Sequence, residues 1–349
     1  MDLTGGIILT IGDEIQFLKH CFKHRKEKRF VKNVMEVSND STLVNMEEMG
    51  GNKENGFIYH IKMEPSYSGF FADHNRLLSL LYYADYYGMK PVVEYTEKYS
   101  YYEDHPVNGS RNPFEYYFVQ PTELQVKDLA QYKGVLRSRK ENAALAGKLN
   151  KIPAAGGYGM TEEYICALAE ISKKYITLNT TVSSYMEREI SELLKNRNVL
   201  GVHVRGTDFK KNYNGHPVCI TPKEYLQASQ GLMATGRYEG VFLATDDKKT
   251  VEQFQMAFGD KLVYYKDVVR SDGDETVMKS QSQRENHHYL LGLEVLRDML
   301  TLAACDGLAA GLSQVSYSAR IQKKSMGQEY RDLVVLNKGI NQHRENCPV

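Results

Sequence analysis

The chain has no tryptophan, few prolines and no surplus of either charge, and each absence narrows what the protein can be. Its 44 Lys and Arg residues are balanced by 44 Asp and Glu residues. A nucleic-acid binder needs a basic surplus towards the phosphates, so we expect no nucleic-acid partner. Glycine and proline, at 27 and 9 of 349 residues, are too few for wholesale disorder. The composition therefore indicates an ordinary globular protein.

Cysteines are few and widely spaced, and long apolar runs are missing. The five cysteines include no CxxC pair, which favours reduced thiols in a reducing compartment. The apolar run at residues 5–11 is too short to span a membrane and lacks the basic residues of a signal peptide. We therefore expect a cytoplasmic protein without a transmembrane segment.

The length and the order of predicted elements indicate two α/β halves. At roughly 150 residues per domain, 349 residues make about two domains. A predicted strand, helix and strand at residues 57–61, 75–87 and 91–95 form a βαβ unit, which implies a parallel sheet. Strands and helices alternate again from residue 199 to residue 336. We predict two Rossmann-like domains, one at residues 1–160 and one at residues 161–349.

Polar residues follow the strands of the second half at their carboxyl ends, where open parallel sheets bind ligands. His203 and Arg205 share one face at the end of a predicted strand, since they are two residues apart. An arginine there suits a phosphate or pyrophosphate. Asp208, in the following turn, either orients Arg205 or only forms an ion pair with it at the rim of the sheet.

Two further strand ends carry polar residues. Thr245, Asp246 and Asp247 follow one strand, and their carboxylates suit a ribose or a base edge, although Asp and Thr are also common helix N-caps. Ser313 and Gln314 open a helix, whose free N–H groups and dipole favour phosphate. Together the strand ends predict a site for a nucleotide diphosphate. Two adjacent carboxylates do not make an ion cage, so no metal is expected.

Three segments resemble one known family in the same order. GVHVRGTD at 201–208 resembles the HVRRTD motif of the α1,6-fucosyltransferases, including the nodulation type, and is more distantly similar to protein O-fucosyltransferases. VFLATDD at 241–247 and the segment 293–321 resemble the later motifs. The resemblance covers residues 160–337 well, but in the first half only residues 69–93. It implies a GT-B fold, in which two Rossmann-like domains face a cleft. Residues 1–160 would then form the acceptor-side domain and residues 161–349 the donor-side domain.

The resemblance also implies an inverting, metal-independent transferase that uses GDP-fucose as donor and a glycan as acceptor, with no further cofactor. Arg205 would contact the β-phosphate and neutralise the leaving GDP, as the main catalytic group beside Asp208. The other donor contacts would be His203, Thr245, Asp246, Asp247, Ser313 and Gln314.

Two departures from the family pattern leave alternatives open. The α1,6 enzymes have a Glu general base shortly after the first motif, whereas residues 209–216 contain no carboxylate. Asp73, Glu115 and His216 are candidates for the base or for acceptor contacts. Gly206 stands where the family has a second arginine. A non-catalytic nucleotide-sugar-binding protein and a transferase for another nucleotide sugar are therefore the alternative functions.

An aromatic, irregular segment at residues 99–118 has two interpretations. Its rings either contact an acceptor sugar, which stacks well on aromatic faces, or pack within the fold.

Overall fold

A computed structural model describes residues 46–53, 58–63, 68–138, 157–206, 213–272 and 282–342. The first half forms a four-stranded sheet in the order β1-β4-β2-β3. The strands are β1 Met46–Glu48, β2 Ile58–Met63, β3 Lys90–Tyr95 and β4 Gly134–Arg137. Strand β2 pairs in parallel with β3 and β4, and β1 runs antiparallel to β4 at the edge. Helix α1, Phe70–Tyr86, connects β2 to β3, which confirms the predicted βαβ unit.

The second half forms a five-stranded parallel sheet in the order β7-β6-β5-β8-β9. Its strands are β5 Val199–Val204, β6 Gly240–Thr245, β7 Leu262–Val263, β8 Gly307–Gly311 and β9 Asp332–Leu336. The helices are α2 Glu162–Tyr175, α3 Thr180–Leu194, α4 Pro222–Met233, α5 Lys248–Phe258, α6 His287–Ala304 and α7 Gln314–Ser325. Every residue of β5, β6 and β8 is buried, as expected for parallel strands covered on both faces.

The strand order reverses between β5 and β8. From β5 the chain passes outwards to β6 and β7, and it then returns to place β8 and β9 on the other side of β5. Such a switch point opens a crevice at the carboxyl ends of the strands. The fold therefore places the ends of β5 and β8 side by side at the position where ligands bind in open α/β sheets.

The two sheets share one apolar core. A single cluster of buried side chains includes Leu81 of α1, Leu168 of α2, Leu296 of α6 and Leu308 of β8. Helix α2 packs against both α1 and α7, and so joins the two halves. The sheets lie within the predicted domains 1–160 and 161–349, whose boundary stays a prediction. The predicted α/β class, with two Rossmann-like sheets as in the GT-B fold, is confirmed.

The first half differs in detail from the sequence prediction. Helix α1 begins at Phe70 instead of residue 75, because the Tyr101 hydroxyl accepts the first N–H of the helix at 3.1 Å. Strands β1 and β4 were not predicted from the sequence. Both strands are short and pair with each other at the sheet edge, so neither needs a long apolar run.

Candidate functional site

The centre of the candidate site is the junction of β5 and the N-terminus of α7. Ser313 caps α7 by accepting the Ser316 N–H at 3.0 Å, and its Oγ lies 3.1 Å from His203 Nδ1. Burial lowers the pKa of His203 to about 4, and the charge of Arg205 acts in the same direction. His203 is therefore a neutral hydrogen-bonding group at pH 7.

Arg205 follows β5 at the mouth of the crevice. Its Nη1 lies 2.9 Å from Asp246 Oδ2, and Asp246 Oδ1 accepts the Gly206 N–H at 2.9 Å. Both Asp246 oxygens thus have protein partners, while the Arg205 side chain is 29 % exposed. Asp246 fixes the position of a cation that solvent still reaches. Asp208, the residue expected to orient Arg205, lies outside the described residues.

The structure explains why position 206 carries no side chain. A Cβ atom on Gly206 would stand 2.5 Å from the Cβ of Asp247, which is far closer than van der Waals contact. The second arginine of the α1,6 family therefore does not fit this backbone.

Thr245 and Asp247 serve the local fold. Asp247 is the N-cap of α5, and its Oδ2 accepts both the N–H of Thr250 at 3.1 Å and its hydroxyl at 2.5 Å. The Thr245 hydroxyl accepts the Asp247 N–H at 3.3 Å. Both side chains are buried. This is the capping role that the sequence left open as the alternative to donor binding.

Gln314 links the two halves of the molecule. Asn75 of α1 donates to the Gln314 carbonyl at 3.2 Å and to its Oε1 at 2.9 Å, and it accepts from the Ser318 hydroxyl at 2.8 Å. Gln314 Nε2 donates to the Gly157 carbonyl at 2.8 Å. The Gln314 side chain thus connects α1, α7 and the segment before α2, and its backbone N–H stands at the first position of α7.

The N-terminus of α1 also faces the site. The Tyr101 hydroxyl accepts the Phe70 N–H, and the charge of Arg205 acts on the same hydroxyl. Burial raises the pKa of Tyr101 to about 12, although the Phe70 hydrogen bond and Arg205 oppose the shift. Arg205 therefore lies near the N-termini of both α1 and α7. Helix N-termini carry positive dipole ends, and the Gln314 N–H stands at the first position of α7, so this arrangement attracts an anion.

The three candidates for a base stand in different environments. Asp73, in the first turn of α1, is buried and pairs with Arg76 at 3.2 Å. Glu115 accepts from Ser110, Asn112 and Gln120 and organises the segment after β3. His216 lies on the segment before α4, and its ring centroid is 5.3 Å from that of Tyr158. Gly157, the residue before Tyr158, accepts a hydrogen bond from Gln314 at the N-terminus of α7. His216 is therefore the candidate that lies beside this N-terminus.

Most rings of the aromatic segment at 99–118 pack within the fold, which favours the packing interpretation. Tyr99, Tyr101, Phe114, Tyr116, Tyr117 and Phe118 are buried. The Tyr117 hydroxyl donates to the Tyr289 carbonyl at 2.9 Å, and Glu103 accepts the Tyr289 N–H at 2.9 Å. The segment therefore holds the first half against the N-terminus of α6.

Asp298 of α6 is a buried acidic residue that sequence reasoning missed. It is buried, and within the described part of the chain its Oδ1 has no hydrogen-bond partner. Burial raises its pKa to about 7, although Arg270 and Arg297 favour the charged form. Glu294, one turn before Asp298 on the same helix, accepts the Val269 N–H. In the loop that contains Val269, the Ser271 N–H donates to the Asp246 carbonyl at 2.8 Å. Because α6 is mostly apolar in sequence, no pattern there indicated that Asp298 would be buried.

Neither a metal-binding cluster nor a membrane-spanning helix occurs among the described residues. Within residues 46–342, leaving out the gaps, no group of three or more His, Cys, Asp or Glu side chains is placed to hold a metal ion. Over the same residues, no helix is both long and apolar enough to cross a membrane.

Comparisons with known proteins returned solved structures only. No protein-family profile and no curated protein matches the chain. Among the similar structures is fucosyltransferase NodZ from Bradyrhizobium, 17% identical, covering 78% of this chain and 93% of its own, with a TM-score of 0.46. Another is POFUT1 in complex with GDP-fucose, 11% identical, covering 83% of this chain and 99% of its own, with a TM-score of 0.49. At TM-scores below 0.5 this likeness identifies neither substrate nor reaction, which are inferred from the site.

Proposed function

We propose that the protein is an inverting, metal-independent glycosyltransferase that transfers fucose from GDP-fucose to a glycan acceptor. One observation carries the proposal: Arg205, positioned by Asp246, lies at the switch point of an open parallel sheet and near the N-termini of α1 and α7. This combination of a fixed cation with two helix N-termini suits a diphosphate. The motif resemblance at 201–208, 241–247 and 293–321 supports GDP-fucose as the donor.

The donor side of the proposed reaction follows from charge. Glycosyl transfer passes through an oxocarbenium-like state while negative charge grows on the leaving diphosphate. Arg205 and the helix N–H groups stabilise that charge, and because they are already in position they need little reorganisation. Ser313 and the neutral His203 hold the end of β5 against α7, so the two parts of the anion site keep their geometry.

The acceptor side requires a base that takes the proton of the attacking hydroxyl. His216 is the candidate that the geometry favours, because it lies beside Tyr158 at the N-terminus of α7. Asp73 is paired with Arg76, and Glu115 holds three side-chain donors in the first half. In this proposal His216 accepts the proton as the hydroxyl attacks from the face opposite the GDP.

The donor assignment is tested by a thermal-shift panel of GDP-fucose, GDP-mannose, UDP-glucose and CDP-activated sugars, with and without EDTA. We expect GDP and GDP-fucose to raise the melting temperature, and EDTA to leave the shift unchanged. Stabilisation by UDP-glucose without any response to GDP-fucose would refute the donor assignment.

The second candidate function is a nucleotide-sugar-binding protein without transferase activity. It is motivated by the absence of a carboxylate at 209–216 and by the pairing of Asp73 and Glu115 within the protein. Measurement of GDP release separates the two functions. Donor binding without GDP release, both in water alone and with any added saccharide, would favour the binding protein.

A further inference from the structure

Three aromatic rings cluster beside the proposed donor site. The His216 ring contacts those of Tyr158 and Tyr213, with centroids 5.3 Å and 5.6 Å from its own and ring planes inclined by 53° and 65°. We call the cluster of Tyr158, His216 and Tyr213 the aromatic shelf. Tyr213 is 49 % exposed, and among the described residues it is the only exposed tyrosine. The other 23 described tyrosines are buried or half-buried, so the exposure of this ring sets it apart from the packing role of the rest.

The backbone under the shelf is held firmly. The Gly215 N–H donates to the Asn341 carbonyl, the Asn341 N–H to the His216 carbonyl, and the Val218 N–H to the Gly339 carbonyl, at 2.8–2.9 Å. On the other side, the Tyr317 hydroxyl of α7 donates to the Tyr158 carbonyl at 2.6 Å. These bonds hold the backbone of the shelf on both sides, which lowers the entropic cost of binding a ligand there.

The shelf is adjacent to the anion site. Gly157, which precedes Tyr158, accepts a hydrogen bond from Gln314, the first residue of α7. Ser313, which precedes Gln314, contacts His203 two residues from Arg205. A molecule lying on the shelf would therefore stand next to the sugar end of a diphosphate held at the N-terminus of α7.

We propose that the aromatic shelf binds a saccharide ring of the acceptor. The proposal rests on the proposed transferase function and adds where, and on which side chains, the acceptor is held. Apolar C–H faces of sugar rings pack on aromatic rings, while their hydroxyls bond to neighbouring polar groups. Tyr213 supplies the exposed face, Tyr158 closes the inner end, and the imidazole between them reaches the hydroxyls.

The test uses Tyr213→Ala, with Tyr213→Phe as the matched variant that keeps the ring and loses the hydroxyl. Saturation-transfer NMR is recorded on the full-length protein with N,N′-diacetylchitobiose, lactose and mannobiose. Because Tyr213 is exposed, both variants are expected to fold, and a Met256→Ala variant on α5 controls for loss of an exposed side chain. The melting-temperature shift caused by GDP is measured on every variant.

We expect wild type, Tyr213→Phe and Met256→Ala to bind at least one disaccharide equally well. Tyr213→Ala should bind it about threefold to tenfold more weakly, the range expected for one aromatic contact. The GDP shift should be the same in all four proteins. Equal saccharide binding by Tyr213→Ala, or no binding of any of the three disaccharides by wild type, would overturn the shelf. A missing GDP shift alongside normal saccharide binding would count against the proposed donor site and leave the shelf standing.

Discussion

Arg205 pairs with Asp246, and its side chain is 29 % exposed. Asp246 also accepts the Gly206 N–H, so the carboxylate fixes the guanidinium relative to the turn after β5. In the proposed reaction this guanidinium supplies the main stabilisation of the leaving diphosphate. Loss of this one side chain should therefore lower the rate of transfer strongly.

Replacement of Arg205 by glutamine is expected to lower transfer at least 100-fold. Removal of one fixed donor from a site of developing charge costs about 3 kcal/mol of transition-state stabilisation. The rate of GDP release with saturating GDP-fucose measures the effect. Arg188→Gln, at an exposed arginine of α3, is the control and should keep the wild-type rate. Near-normal turnover by a folded Arg205→Gln variant would contradict the role of Arg205.

Gly206→Ala tests the steric account of the missing second arginine. The added methyl would meet the Asp247 Cβ at 2.5 Å, so the turn after β5 must shift and carry Arg205 with it. We expect weaker GDP binding and a lower melting temperature. Gly231→Ala is the opposite case, because the space around Gly231 in α4 is open, and it should stabilise the protein by up to ~1 kcal/mol. Unchanged GDP binding by Gly206→Ala would show that the turn adapts.

Asp298 predicts a pH dependence of stability. Its folded pKa, about 7, lies above the ordinary value of 3.8 because of burial. The unfolded chain therefore ionises first as pH rises, and the folded state loses stability between pH 4 and pH 7, then no more above it. Asp298→Asn should match wild type near pH 4 and exceed it at pH 8 by up to roughly 4 kcal/mol. Urea unfolding at both pH values measures the difference, and a difference that does not change with pH would refute it.

The elements of the second half follow their sequence signals closely, and those of the first half do so less well. Strands β5, β6 and β8 are buried apolar runs, and Asp247 and Ser313 are side-chain caps next to them in sequence. Local patterns of this kind predict boundaries to within a few residues. The contact of Asn75 with Gln314 joins residues 239 positions apart, so no local pattern reveals it. For Thr245 and Asp247 the sequence offered both donor contacts and helix capping, and the hydrogen bonds of the folded chain show the capping contacts.

Asn75→Ala tests the connection between α1 and α7. It removes the donors to Gln314 and the acceptor of Ser318, which should cost about 1–3 kcal/mol and release the N-terminus of α7. Ser79→Ala is the matched control, because Ser79 lies one turn further along α1 and contacts Tyr164 of α2 instead. Both variants should be less stable, but only Asn75→Ala should weaken GDP binding in calorimetric titration. Equal GDP affinity in the two variants would limit Asn75 to a structural role.

At the scale of the whole molecule, the two sheets are parts of one core. The cluster that contains Leu81 of α1 also contains Leu308 of β8, and helix α2 packs on both halves. Contacts from Asn75 to α7 and from Tyr117 to α6 add hydrogen bonds across the same junction. The halves therefore depend on each other for burial of apolar surface.

Differential scanning calorimetry should show one unfolding transition, with calorimetric and van't Hoff enthalpies in agreement. Both halves lose part of their core if either unfolds, which couples them. Addition of GDP should move the single transition upwards without splitting it, since binding stabilises only the folded state. Two resolved transitions, of which GDP moves one, would show that the halves unfold independently.

The exposed ring of Tyr213 has a spectroscopic consequence. The chain contains no tryptophan, so its intrinsic emission comes from tyrosine alone. A Tyr213→Trp substitution would place the molecule's single indole at a tyrosine position that is 49 % exposed, beside the proposed donor site. Its emission could then be excited apart from the tyrosines, without any external dye. Titration of a saccharide or of GDP into that variant would show whether each ligand changes the surroundings of residue 213. Binding on the shelf should change the emission directly, and binding of the diphosphate beside it should change the emission less.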